Sequence, residues 1–374
     1  MKKILVLDLV RGVAVLMVLT YHVGLLFPSH GLPYFLEWIW YRAWVNGAYG
    51  VPLFFVISGF LITRLIAESP GGLLAPNLRD FYARRAGRIL PPLALFCVLG
   101  LALATLVPLP AHSLEGFFYD RKNISDPLFW VSITTFWFNW FRIFPHEPVG
   151  FYWGILWSLS VEEQFYFFYP LVLRQAGSKR NLVILLLIFV ALGPASQCAA
   201  YSLGWNHLTL HYNSFNGFDL IALGALLYLG AQRWQSALLA RPGFCAALCA
   251  AGAALSFKIY FHQPYFADYW GNRLDDLFIG LGLFIFLMGA LHLESFNSKI
   301  WSPVFWIGRM SYGIYLYQVA VLCVLFPFLT GLNSFGAFLI AAAAVWIAAG
   351  FSFYLYEKPA NQWIRRLLAV RPKS

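Results

Sequence analysis

The sequence predicts an all-α integral membrane protein with about ten transmembrane helices, and three observations carry that expectation. Of 374 residues, 60% are hydrophobic and only 11% charged, with a mean hydropathy of +0.68; a soluble domain is about half apolar and a quarter charged. The apolar residues gather in runs of about bilayer-spanning length. The basic residues between those runs fall mainly on one side. This pattern excludes a disordered chain, a coiled coil, a disulfide-stapled mini-protein and an ordinary cytosolic enzyme.

The runs lie near 4–27, 44–66, 89–108, 153–173, 181–203, 215–231, 242–260, 274–292, 303–328 and 335–356. Lys2-Lys3 ahead of the first run imitates a secretory signal. The run is too long for one and lacks an Ala-x-Ala-like cleavage site, so it reads as a retained helix. The aromatic stretch Leu128–Trp140 is short for a span, and a crossing there would put the Arg174–Arg180 cluster and the basic residues after it on the other side, so 128–150 reads as a short outer-face or re-entrant segment. With a cytoplasmic N-terminus, only Arg42, Arg121, Lys122, Arg142, Lys258 and Arg273 fall outside, while Arg11 and Arg309 lie within spans. The other 18 of 26 Lys and Arg are cytoplasmic, as the positive-inside rule requires, and both termini follow. The expected organisation is one membrane domain over 1–360 and a short basic cytoplasmic tail over 361–374.

The net charge of +10 is therefore an orientation signal with anionic membrane lipid as its partner, not a nucleic-acid footprint. Cys97, Cys198, Cys245, Cys249 and Cys323 sit in or beside apolar runs, without a CxxC pair. They read as packing residues, with no metal site.

Ionisable groups inside a bilayer need a reason. Arg11 and His22 are separated by about 1100° of helical rotation, within roughly 20° of three full turns, and by about 16.5 Å of rise. Both therefore face the same way, Arg11 nearer the cytoplasm, like one wall of a channel for an elongated ligand. Snorkelling of Arg11 to lipid phosphate, or an interhelical bond from His22, is the plainer alternative. Glu162 and Glu163 interrupt another run. Adjacent residues diverge by about 100°, so only one is expected to face the His22 cavity, where it would orient the imidazole or handle protons. A structural salt bridge to Arg11 or Arg309 is the competing use. Arg85 and Arg88 lie one helical turn apart at the cytoplasmic surface, a spacing suited to gripping phosphate with forked donors or simply to anchoring topology.

Seven motifs in order resemble the membrane acyltransferase-3 family: Leu7-Asp8-x-x-Arg11-Gly12-x-Ala14 with His22; Leu53 to Ile62; Arg84-Arg85-x-x-Arg88-Ile89-x-Pro91; Trp157 to Tyr166; Asp219-x4-Gly224; Ser311 to Leu316; and Glu357-Lys358-Pro359. The resemblance implies an O-acyltransferase of the bacterial inner membrane. It would move an acyl group, commonly acetyl, from cytoplasmic acyl-CoA to a hydroxyl of a sugar, cell-surface glycan or glycolipid. It implies that the essential Arg and His are Arg11 and His22, and that Arg85 and Arg88 form the cytoplasmic Arg pair. The chain departs from the family pattern at Pro52, Gly217 and Gln318, where Asp, Arg and His are common; the last two bear on the acceptor side. The appended hydrolase-like domain of some relatives is not expected here.

The combined expectation is a donor site of Arg11, Arg85, Arg88 and Ser58, and a catalytic group of His22 with Glu162 or Glu163. Trp157, Tyr166, Asp219 and Tyr312 are the expected acceptor contacts. Ser58, Tyr166 and Tyr312 are candidate oxyanion donors, and an acyl-His intermediate is an alternative route. A homodimer is compatible with this reading. The competing function is a transporter using the Arg/His/Glu stripe as a substrate or proton path. The topology makes one prediction: a cysteine placed at Ser178 should react with impermeant reagent only from the cytoplasmic side, and one at Trp130 only from outside. Labelling of position 178 from outside would overturn the ten-span arrangement.

Overall fold

A computed structural model describes residues 4–27, 32–106, 121–144, 149–205, 211–262, 269–293 and 301–368, and among these every regular element is helical. The helices are α1 (Leu5–Leu26), α2 (Tyr34–Val45), α3 (Gly50–Ala67), α4 (Leu78–Leu106), α5 (Pro127–Thr134), α6 (Phe138–Ile143), α7 (Leu156–Ala176) and α8 (Lys179–Ser202). They continue with α9 (Phe215–Arg233), α10 (Pro242–His262), α11 (Tyr269–Ala290), α12 (Ser302–Arg309), α13 (Ser311–Leu329), α14 (Ser334–Ser352) and α15 (Lys358–Leu368).

Ten of these have 18 or more residues, α1, α3, α4, α7 to α11, α13 and α14, and they coincide with the ten apolar runs. Seven segments are both long and apolar enough to cross a membrane on their own. The exceptions are α7, α9 and α11, which carry Glu162 and Glu163, Asp219, and Asp275 and Asp276. Neighbouring helices cover much of α7 and α9, so their polar groups meet protein instead of hydrocarbon. By contrast, α8 and α14 present long rows of exposed Leu, Ile, Phe and Trp, and α10 buries only Cys245 and Gly252, as lipid-facing helices should.

Local chemistry sets several boundaries. Asp126 caps α5 by accepting from Leu128 N at 2.8 Å, with Pro127 in the first turn. Ser178 caps α8 through Asn181 N at 3.1 Å, and Asn333 caps α14 through Gly336 N at 2.8 Å; each oxygen satisfies a helix-terminal donor. The described residues of 128–150 hold two short helices, α5 and α6, of 8 and 6 residues, too short to cross a bilayer. The aromatic-rich α2 was invisible as a separate element, because the apolar patterning near it reads as the approach to the next span.

Two differences from expectation matter for the site. The Arg84–Pro91 motif, which begins between the second and third apolar runs, does not form a surface connection but the opening turns of α4, with Pro91 and Pro92 inside the helix. The 303–328 run is two helices that break at Met310, which leaves Arg309 at the junction. Within the expected basic tail, residues 361–368 belong to α15, which packs on α4; 369–374 lie outside the described residues.

Two hydrophobic cores flank α1. One gathers α3, α7, α8, α9 and α11; the other gathers α4, α5, α13 and α14. Phe54 and Trp157 border both. Close backbone approach fixes α1 and α3 in this seam. A Cβ at Gly308 would fall 1.8 Å from Asp8 O on α1, and one at Gly224 would fall 1.9 Å from Val56 O on α3. Such small-residue crossings let membrane helices pack tightly.

Gly224→Val should therefore cost about 1–3 kcal/mol or more through overpacking, whereas Gly350→Ala, with nothing within 4 Å of its added carbon, should be nearly neutral. Thermal unfolding midpoints in detergent check this; an unchanged midpoint for Gly224→Val would contradict the α3–α9 crossing.

Candidate functional site

Three adjoining cavities follow α1 through the seam between the cores. The first, of about 470 Å³, is an inner vestibule lined by Arg11, Arg88, Arg309 and Lys358 with Tyr312 and Asn361. Asp8 lies 3.6 Å from Arg309 and 3.9 Å from Arg11, and Glu357 accepts from Ser352 Oγ at 3.0 Å. Four cations against two carboxylates leave the vestibule electropositive. Arg88 and Lys358 are exposed, so their donors face open space.

Arg11, Arg88 and Tyr312 also line the second cavity, a middle chamber of about 240 Å³. Its polar wall comes from α3, α4 and α7. Glu162 Oε1 accepts from Ser58 Oγ at 2.5 Å and from the Tyr166 hydroxyl. Arg85 Nη2 donates to Glu163 Oε1 at 2.7 Å, with side-chain exposures of only 12% and 10%. The Arg85 guanidinium also lies 3.8 Å from the centre of the Tyr166 ring. The remaining lining is largely apolar: Phe54, Phe55, Leu61 and Leu65 among others.

Val51 and Tyr315 are shared with the third cavity, an outer chamber of about 170 Å³ that contains His22. Tyr315 stands at the neck, its hydroxyl 2.5 Å from Ser158 Oγ and donating to Ile155 O at 3.2 Å. The outer wall is aromatic and basic: Tyr21, Trp157, His211, Tyr212 and Arg142. The Trp157 ring centre is 5.2 Å from both the His211 and Tyr212 rings. His22 Nδ1 is buried, and Phe151 meets the imidazole edge-on at 5.4 Å. Gln318 is the side chain that interacts with this ring. Neither Gln318 Oε1 nor His22 Nδ1 has a hydrogen bond of ordinary length and angle.

The structure thus brings Arg11, Ser58, Arg85, Arg88, Glu162, Tyr166 and Tyr312 to one chamber, and Trp157 and His22 to the next. Four placements differ from the sequence reading. No hydrogen bond joins Glu162 or Glu163 to His22 among the described residues; Glu162 serves Ser58 and Tyr166, and Glu163 serves Arg85. Arg85 is no surface clamp but a buried partner, because a neighbouring carboxylate stabilises it away from water. Ser58 and Tyr166 already donate to Glu162, which removes them as free oxyanion donors. Asp219 lines a separate pocket of about 70 Å³ with Asn216, Gln197 and Asp276, on the far side of α9 from the chambers.

Several lining residues escaped the sequence reading. Arg309 enters the sequence reading as an intramembrane charge and a salt-bridge partner for Glu162 or Glu163, and Lys358 as a topology marker within the Glu357-Lys358-Pro359 motif; neither is expected there to line a cavity. Tyr315 sits inside the Ser311–Leu316 motif, three residues from the favoured Tyr312. Arg142 and His211 belong to no motif and reach the chamber from elements distant in sequence. Among the described residues no cluster of His, Cys, Asp and Glu could hold a metal ion.

Residues 4–357 match an acyltransferase domain of acyltransferase-3 type. The chain is similar to the "Putative peptidoglycan O-acetyltransferase YrhL" of Bacillus subtilis, at 28% identity over 368 residues, covering 94% of this chain and 54% of that protein. It is also 28% identical over 378 residues to the "Peptidoglycan O-acetyltransferase OatA" of Listeria monocytogenes, covering 95% and 55%. The chain spans about half the length of these curated relatives. No solved structure matches it.

The Arg85–Glu163 pair generates a prediction. Arg85→Met or Glu163→Gln alone should destabilise the protein by about 3–5 kcal/mol, because each strands a buried group, while the double variant should recover much of that loss. Thermal unfolding of the three variants decides it; additive losses would show that the pair is not coupled.

Proposed function

The chain belongs to the acyltransferase-3 family, and from that premise we propose that it transfers an acyl group, most simply acetyl, from acyl-CoA to a hydroxyl of a carbohydrate acceptor in the bacterial inner membrane. The observation that carries this reading is the series of cavities along α1, basic at one end and holding an imidazole among aromatic rings at the other. The relatives named as peptidoglycan O-acetyltransferases supply the acceptor class, a glycan.

In this reading the nucleotide phosphates of the donor rest in the inner vestibule against Arg88, Arg309 and Lys358, where charge-assisted bonds are strongest. Arg88 is the one member of the Arg85/Arg88 pair free to do so. The pantetheine arm extends past Arg11 through the largely apolar middle chamber and brings the thioester to the neck at Tyr315. A sugar hydroxyl is a poor nucleophile at neutral pH and needs a base as its oxygen attacks. Burial of Nδ1 leaves Nε2 as the His22 nitrogen turned toward the outer chamber. It takes the hydroxyl proton as oxygen bonds to the thioester carbon. Collapse of the tetrahedral adduct breaks the carbon–sulfur bond, and the departing thiolate recovers the proton from imidazolium. The products are an O-acyl sugar and CoA. Tyr315, at the neck, is the hydroxyl closest to the carbonyl's path, and it takes the oxyanion role expected of Ser58 or Tyr166 by exchanging its long 3.2 Å bond to Ile155 O for one to the substrate oxygen. With no carboxylate bonded to His22, Gln318 takes over the ring-positioning role expected of Glu162 or Glu163.

Purified full-length protein in lipid nanodiscs, given labelled acetyl-CoA and cell-wall glycan fragments, should transfer label. His22→Ala should lower transfer at least 100-fold, within the range for loss of a general base. Arg88→Gln with Arg309→Gln should raise the donor KM about tenfold or more while leaving kcat largely intact, since a phosphate contact is worth about 1.5–3 kcal/mol. Full activity of His22→Ala would remove the imidazole from the reaction, and an unchanged donor KM would remove the vestibule from donor binding.

A further inference from the structure

Among the described residues, the outer chamber contains one charged side chain without a counter-ion. Arg142, from α6, projects into the same cavity as His22. Its Nη1 donates to Gly154 O at 2.9 Å, and its guanidinium lies 4.0 Å from the centre of the Tyr212 ring. Among the described residues no carboxylate lies within ion-pair distance of it. None of its nitrogens is buried without a partner, so the remaining N–H groups are open to the chamber. Every other polar side chain of the lining is an imidazole, a phenol or an indole: His22, His211, Tyr21, Tyr212, Tyr315 and Trp157.

A partly buried cation normally sits beside an anion, because desolvation without compensation is costly. Arg85 keeps this rule with Glu163, Arg64 with Glu68 at 2.7 Å and Arg84 with Asp80, while Arg42, whose Nε and Nη1 are buried without a partner, does not. At Arg142 the protein supplies a carbonyl oxygen and a ring face instead. These orient a guanidinium without neutralising it. A planar fork held by one edge and one face presents its other edge to a ligand, the geometry suited to a carboxylate or phosphate.

We propose that the outer chamber recognises an acceptor sugar that carries a negative charge, a carboxylate or a phosphate, and that Arg142 holds this charge while the target hydroxyl faces His22. The proposal rests on the acyl-acceptor reading of this chamber and narrows it. The sugar ring lies against Trp157 and Tyr212, whose faces supply apolar contact, and its anionic group meets Arg142, with His211 as a second donor. The charge fixes which edge of the ring approaches His22, so Arg142 selects both the acceptor and the hydroxyl modified.

The test measures binding to the full-length protein in nanodiscs without donor, so its outcome is independent of whether acyl transfer occurs. The probes are methyl β-glucuronide, methyl β-glucoside and glucose 6-phosphate, read by quenching of tryptophan fluorescence and by calorimetry. The wild-type protein should bind at least one anionic sugar tenfold or more tightly than the neutral glucoside; which one identifies the anion as carboxylate or phosphate. Arg142→Gln should abolish that preference without changing affinity for the glucoside, and Arg142→Lys should retain part of it. Equal binding of all three probes by the wild type, absence of any preference, or a preference that survives in Arg142→Gln each overturns the proposal. If Arg142→Gln does not fold, the wild-type comparison and the Lys variant decide. A role confined to the thioester oxyanion would leave the binding preference unmoved.

Discussion

The interior of this protein depends on one buried contact, the ion pair between Arg85 of α4 and Glu163 of α7. Two ions removed from water are tolerated only when geometry is good and their remaining bonding capacity is met. Here the guanidinium also covers the Tyr166 ring, and Tyr166 in turn donates to Glu162, which holds Ser58 of α3. The circuit ties three helices together around a chamber that would otherwise be apolar. It also divides labour between neighbours in sequence. Glu163 is spent on structure while Glu162, about 100° round the helix, faces the chamber. Arg85 turns inward, and Arg88, one turn further along α4, faces the vestibule.

That division explains how an apolar bundle can carry opposite chemistries at its two ends. The inner vestibule draws cations from α1, α4, the α12–α13 junction and the start of α15. Asp8 sits between Arg11 and Arg309 and offsets only part of their charge. The close crossing of Gly308 on Asp8 sets this spacing, since any side chain at 308 would push α12 away from α1. Eleven residues further along α1, His22 stands among rings. The same helix therefore connects an electropositive cavity to an imidazole, and its helical rise fixes their separation.

Much of this was legible in the sequence. The ten runs found the ten long helices, the brevity of Leu128–Trp140 was a sound reason to deny it a span, and the helical phase of Arg11 and His22 put both on one wall. What the sequence could not settle were contacts between distant segments. Spacing alone does not distinguish Arg85 from Arg88; only the position of α7 makes one buried and the other open. Nor does it show which way α9 faces, so Asp219 looked like an acceptor contact although it lies in a separate pocket. Arg142 and His211 reach the chamber through short helices and connecting segments with no periodicity to read. The Glu-to-His pairing failed for a related reason. Glu162, Glu163 and His22 all occupy polar positions in apolar helices, but the carboxylates lie level with α3 and α4 side chains that bond them first.

The neck at Tyr315 bears on how such a protein can span a membrane at all. A bore open from face to face would pass water and ions. Two chambers that share only Val51 and Tyr315 avoid this. The Tyr315 hydroxyl is held by Ser158 and the Ile155 carbonyl, at the start of α7, and its backbone carbonyl accepts from Gln318. Gln318 in turn is the side chain that interacts with His22. The residue dividing the chambers is therefore coupled, through one turn of α13, to the imidazole beyond it. A shift of α13 that widens the neck also moves Gln318, which lies beside the ring. Access to the outer chamber and the setting of His22 are for that reason properties of a single helix, not two independent features of the site.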